Sequence, residues 1–232
     1  MIALPHEERI INTGEPIESE NLVEFRLLYH GELLASTNSK RRTQEKHAIR
    51  KVLHPQLRRL WQVKSGLHQL AEHFGNPGTV EESGIEIDPN QSRFERGIAR
   101  IGRNWRSAPF DFVPLVTEKF LLRCSLDILL LRPEGKEYIF EQGDIDGQLK
   151  TLFDAFRRPC DIGEAGGNTP TDDENPFFVL LQDDRLISEV HVTTDQLLLL
   201  PGQRETKATD AFVIIHVKLN HTIGSPFDRW FD

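Results

Sequence analysis

The sequence predicts an α/β (α+β) fold in which a single mixed β-sheet is flanked by helices. Three observations lead there. Strand-like and helix-like segments are interleaved along the chain rather than segregated. The 232 residues are enough for one substantial domain, with 38% hydrophobic and 28% charged content, as in globular proteins. The apolar periodicity also changes from helical to strand-like and back, with Gly and Pro at the transitions.

Residues 1–21 are acidic and aperiodic and read as a loose N-terminal arm, leaving 22–232 as the folded unit. Residues 22–30 read as a strand ending at Gly31, and 35–42 as a polar basic loop. From Thr43, Ile49, Val52 and Leu53 fall at helical spacing. Pro55 is expected to interrupt that helix and open a second one. Leu57, Leu60, Trp61, Leu67, Leu70, Ala71 and Phe74 carry its apolar stripe to a stop at Gly75. Residues 75–92 read as loop, and the pattern leaves 93–107 undecided. Residues 119–131 read as a strand, 133–135 as a turn and 136–141 as a returning strand. Leu149, Leu152, Phe153 and Phe156 define an amphipathic helix that Asp146 is placed to cap. Residues 161–175 read as a flexible insertion. Strands follow at 177–181, 186–192 and 211–219.

No apolar run approaches the roughly 20 residues that span a bilayer, and the N-terminus lacks a secretory pattern. The two cysteines, Cys124 and Cys160, form no CxxC pair, so a cytoplasmic location is expected. The net charge of −8 counts against a phosphate-binding protein, but the charge is unevenly spread. Residues 40–59 hold Lys40, Arg41, Arg42, Lys46, Arg50, Lys51, Arg58 and Arg59 against Glu45 alone. Residues 93–106 hold Arg93, Arg96, Arg100, Arg103 and Arg106 against Glu95 alone. Lys40, Arg41, Arg42, Arg96, Arg100 and Arg103 are therefore the candidate DNA contacts. A solvated helical face is the plainer account of the first run.

The segment GDIDGQLKTLFDAF at 143–156 carries the chemistry. Asp144 and Asp146 gather carboxylates at a helix N-terminus, whose dipole favours negative charge. Asp183 or Asp184 would add a further carboxylate, making a set of hard oxygen donors suited to Mg²⁺, with Mn²⁺ as a substitute. Lys150, four residues after Asp146, shares its helix face and can meet charge on a phosphate. Asp-x-Asp alone is usually a cap or turn, and Asp183–Asp184 alone suits a hairpin turn. Asp154 reads as a solvated or salt-bridged residue. His47, His54, His68 and His73 lack the cysteines and spacing of a zinc site, and His191 and His216 read as core-edge residues. Trp105 reads as a packing residue with a stacking role open to it.

Together, GDIDGQLKTLFDAF and LLQDDRLISEVHV at 180–192 resemble the core of the RusA family of Holliday junction resolvases. The resemblance places Asp144, Asp146 and Asp184 as metal-binding catalytic aspartates, Asp183 beside them, and Lys150 as the family lysine. It implies a homodimer that cleaves branched DNA with a divalent metal. It is close over 143–192 and looser over 22–60 and 115–142. Gly147 stands where the family has asparagine. The chain also has extra material near 66–112 and 161–175 and a C-terminal extension at 197–232. A protein of the same fold that binds nucleic acid or regulates without cutting is the alternative, and an RNA-directed nuclease a third.

Overall fold

A computed structural model describes residues 23–35, 39–76, 90–133, 145–198, 207 and 209–221, with only the backbone described at 39–41 and 221. The strands are β1 (Glu24–Glu32), β2 (Arg106–Ser107), β3 (Phe110–Val116), β4 (Leu122–Arg132), β5 (Phe177–Leu181), β6 (Ile187–Gln196) and β7 (Asp210–His221). The helices are α1 (Ser39–Val63), α2 (Ser65–Gly75), α3 (Arg93–Asn104) and α4 (Ile145–Phe156). The α+β class is as expected. The strands form two sheets rather than one, in the orders β1-β7-β4-β6 and β2-β3-β5.

Burial explains the division. β4 and β7 alternate buried residues with half-buried or exposed ones, so their sheet buries one face: Leu126, Ile128 and Leu130 from β4, and Val213, Ile215 and Val217 from β7. β5 is buried at every position and β3 at nearly every one. Their uninterrupted apolar runs, FDFVPLV and FFVLL, suit parallel neighbours covered on both faces. α1 packs on β5 and α3 on β3. β7 pairs antiparallel with both β1 and β4. The segment read as a C-terminal extension thus supplies a central strand. β6 lies parallel to β4 and forms the sheet edge.

α1 runs through Pro55 instead of breaking there. Proline removes the N–H that would bond to the carbonyl of Lys51, a local cost. The buried stripe of Ile49, Leu53, Leu57, Leu60 and Trp61 crosses the proline without interruption and holds the helix together. Gln56, the next residue, accepts from Leu28 N–H at 2.9 Å and donates to Leu28 carbonyl at 2.7 Å. Its amide therefore acts as one rung of a missing strand and closes part of the β1 edge.

α1 also fixes two buried histidines. His54 Nδ1 accepts from the backbone N–H of Phe178 at 2.9 Å, so Nε2 carries the proton and donates to Asp173 carbonyl at 2.9 Å. His47 lies against Phe110 and Phe177, and neither ring nitrogen has a hydrogen-bond partner among the described residues. Burial, with Arg50 and Lys51 nearby, lowers His47 to about 4, and burial also lowers His54. Both are neutral in the folded chain at pH 7. As pH falls below about 6.5 the unfolded chain takes up these protons first, so stability declines from there to about pH 4. The His47 share is on the order of 2 kcal/mol once screening is allowed for. Urea midpoints between pH 7 and 4 are expected to fall less for His47→Leu than for wild type. Parallel curves for the two proteins would rule out His47 as the source.

Candidate metal and nucleic-acid sites

α4 buries Leu152, Ala155 and Phe156 against the core and leaves Asp146 and Lys150 exposed on its outer side. Gln148 accepts from Arg132 Nη2 at 2.6 Å, which ties the start of α4 to the end of β4. Thr151 donates from Oγ1 towards Gly147 carbonyl at 3.1 Å and Leu34 carbonyl at 3.3 Å. Asp146 was expected as the N-cap. It lies instead inside the first turn, because the helix begins at Ile145. Its charge still faces the positive helix end. Asp144 and the strand expected at 136–141 lie outside the described residues. Neither Asp146 nor Lys150 has an ion-pair partner among the described residues, whereas Asp154 is taken by Lys46 at 2.5 Å and Arg157 at 3.5 Å.

Asp183 and Asp184 follow β5. Asp183 caps a 3-10 turn: its Oδ1 accepts from Arg185 N–H at 3.0 Å and Nε at 2.8 Å, and its Oδ2 from Nη2 at 3.3 Å. The Arg185 guanidinium holds the Asp183 carboxyl below the usual range. Asp184 is exposed on the same turn. Three residues later Ile187 pairs with Cys124, near the start of β4. The turn thus sits by the start of β4, whereas the first turn of α4 is tied to the end of β4, and α4 also packs against the Asp184–Leu186 turn. Among the described residues no three His, Cys, Asp or Glu side chains gather into a group that could hold a metal ion.

The basic stretches divide between structural and free groups. Arg50 is buried and donates to the carbonyls of Arg157, Glu164 and Asp154. Lys51 pairs with Glu174 at 3.0 Å. Lys40 and Arg41 stand in the first turn of α1, with their side chains outside the description. Arg42 is half-buried. Arg100, expected on a DNA-binding face, is instead buried and donates from Nη1 to Phe74 and Asn76 carbonyls at 2.9 and 2.8 Å. It satisfies the C-terminal carbonyls of α2, and a phosphate cannot reach it. Arg96 donates to Gly75 and Gln91 carbonyls and is half-buried. Arg103 is exposed. Trp105 is buried against Phe120 and does not face solvent.

The segment 161–175 is pinned rather than loose. Arg157 binds Glu164 through two bonds of 2.9 and 3.0 Å, lowering Glu164 to about 2, while Arg50 and His54 hold the backbone on either side. His191 and His216 sit on the open face of the four-stranded sheet, 3.1 Å from Asp127 and 3.0 Å from Glu24. A feature that periodicity did not reveal is a cavity of about 340 Å³ beside the Asp183–Asp184 turn, lined by Glu118, Leu121, Leu122, Arg123, Arg185 and Leu186. It forms where the Thr117–Leu121 turn meets the 3-10 turn, a contact between segments 64 residues apart that is sealed by Glu118 N–H donating to Gln182 Oε1.

No protein-family model matches the chain, and neither a curated protein nor a solved structure matches it. No helix among the described residues is long and apolar enough to cross a membrane.

Proposed function

We propose that the chain is a structure-selective endodeoxyribonuclease of the RusA-like type, acting with Mg²⁺ on Holliday junctions or related branched DNA as a homodimer. The observation that carries this reading is selective exposure. Asp154, Glu164 and Glu174 are consumed by Lys and Arg partners. Asp146, Lys150 and Asp184, which the motif singles out, face solvent. Their chemistry suits the task, since carboxylates favour hard cations and an exposed lysine meets a phosphate without rearrangement.

Among the described residues Asp146, Asp183 and Asp184 do not gather with another donor into a group that could hold a metal ion, and Asp144 lies outside the description. Gly147 in place of the family asparagine and the net charge of −8 favour a second reading, in which the chain binds branched nucleic acid or regulates without cutting it.

Cleavage of a labelled four-way junction in Mg²⁺, Mn²⁺ or EDTA separates the two, with linear duplex, single strand and RNA as controls. The nuclease reading expects metal-dependent cutting that falls at least about a hundredfold in Asp146→Asn with the fold intact. Junction binding without cutting in any metal would leave the second reading. Cutting of RNA alone would change the substrate.

A further inference from the structure

Leu121 is the only non-glycine residue with positive φ among the described residues, at 54°. A branched side chain in this region is strained unless its surroundings fix it, and such residues concentrate at functional sites. Here the turn is fixed from three sides. Phe120 N–H donates to Thr117 Oγ1 at 3.0 Å, Leu121 N–H to Glu118 carbonyl at 3.0 Å, and Leu122 N–H to Thr117 carbonyl at 3.1 Å. Phe120 and Leu122 on either side are buried, yet Leu121 is 41% exposed. The backbone strain therefore turns an apolar side chain outward, against the tendency of a leucine.

Its surroundings are charged. Arg123 stands two residues on, exposed and without an ion pair among the described residues. Arg185 faces the same cavity with its side chain 76% exposed, oriented by Asp183 at 2.8 Å and Glu118 at 3.9 Å. An isolated leucine between two arginines is too small and too polar a surface for a protein–protein core. It suits a nucleic acid: guanidinium forks match phosphate oxygens, and apolar wedges enter base steps that are already weakened. A branch point offers such a step, because its bases are the least constrained by stacking.

We propose that the Thr117–Arg123 turn is a branched-DNA seat, with Leu121 entering an unstacked base step at the branch while Arg123 and Arg185 hold the flanking phosphates. This rests on the reading of the chain as a protein of branched DNA and extends it, because the seat brings the backbone beside Asp184. Glu118, Asp183 and Asp184 border the seat and oppose phosphate. Binding therefore depends on the two arginines and is salt-sensitive.

The test uses the full chain and a fluorescein-labelled four-way junction with 2-aminopurine at the branch, in EDTA, where metal-dependent cutting cannot intervene. Wild type is expected to raise 2-aminopurine fluorescence as the step unstacks. Leu121→Gly, which suits the positive φ, should melt no lower than wild type yet lose that rise. Arg123→Gln should weaken junction binding about tenfold and reduce the slope of log affinity against log salt by about one. Arg185→Gln should act in the same direction. A folded Leu121→Gly that keeps the fluorescence rise, or an Arg123→Gln that keeps affinity and slope, overturns the seat. If the seat behaves as expected but Mg²⁺ supports no cutting, the seat stands and the nuclease reading falls. If cutting occurs while the variants bind like wild type, the seat alone falls. No junction binding by wild type overturns both.

Discussion

Gly97→Ala is expected to lower the melting temperature by about 6–12 °C, the equivalent of about 3 kcal/mol in a chain of this size. Gly97 lies in α3 where that helix crosses α2. A Cβ built there would sit 1.7 Å from Ala71 carbonyl oxygen and 2.6 Å from its carbon. Both are backbone atoms of α2, so no side-chain rotation relieves the clash and the helices must separate. Separation loosens Leu67, Leu70 and Ala71 against Ile98 and Ile101, all buried. Helix propensity alone gives the opposite sign, since alanine is favoured over glycine inside a helix by about 1 kcal/mol. Thermal melts of Gly97→Ala and Gly102→Ala decide the matter. At Gly102 the nearest atoms are side-chain carbons of Pro176 and Asp111 at 3.2 and 3.3 Å, so a smaller change is expected. A Gly97→Ala protein as stable as wild type would mean that the α2–α3 crossing is not held at this spacing. Gly75, whose added Cβ would lie 1.9 Å from Arg93 carbonyl oxygen, should behave like Gly97.

The second large effect is expected at Arg50. Its side chain leaves α1 and donates from Nη2 to Asp154 carbonyl at 2.6 Å, from Nε to Arg157 carbonyl at 3.2 Å and from Nη1 to Glu164 carbonyl at 3.1 Å. Two of these acceptors stand at the C-terminal end of α4, where carbonyls lack helical partners and carry partial negative charge. One arginine therefore caps α4 and ties the 161–167 turn to it. Burial and the charge of Arg157 lower Arg50 to about 10, still charged at pH 7. Arg50→Met keeps much of the volume but leaves three buried carbonyls without a donor. A loss of about 3–5 kcal/mol is expected in urea unfolding, with Arg50→Lys recovering only part, since a single ammonium cannot reach three divergent acceptors. Hydrogen exchange should rise first over residues 153–168. A variant with unchanged stability and exchange would show that water replaces the guanidinium without loss.

Arg50 also shows why the basic run at 40–59 was open to misreading. In sequence, Arg50 and Arg58 have the same chemistry. Only the packing of α1 against α4 and β5 makes the first an internal clamp while the second stays exposed. Arg100 differs from Arg103 for the same reason, one turning to the end of α2 and the other to solvent. Charge is visible in a sequence. Whether it is free depends on which carbonyls and carboxylates the fold brings near.

What the sequence determined by itself was local. Short, largely apolar runs marked β4, β5 and β7, and the Leu149–Phe156 spacing marked α4, because these patterns follow from side-chain direction along a single element. Of the motif acids, Asp146 and Asp184 are exposed, one on the polar side of an amphipathic helix and the other on a turn. Tertiary structure decided the rest. It carried α1 through Pro55, where buried contacts on both sides outweigh one missing hydrogen bond. It separated β3 and β5 into their own sheet, and it placed β7 between β1 and β4. It also packed α4 against the Asp184–Leu186 turn, and put Leu121 and Arg185 at one cavity. Distances between residues far apart in sequence depend on how elements pack, and no single element's periodicity encodes them.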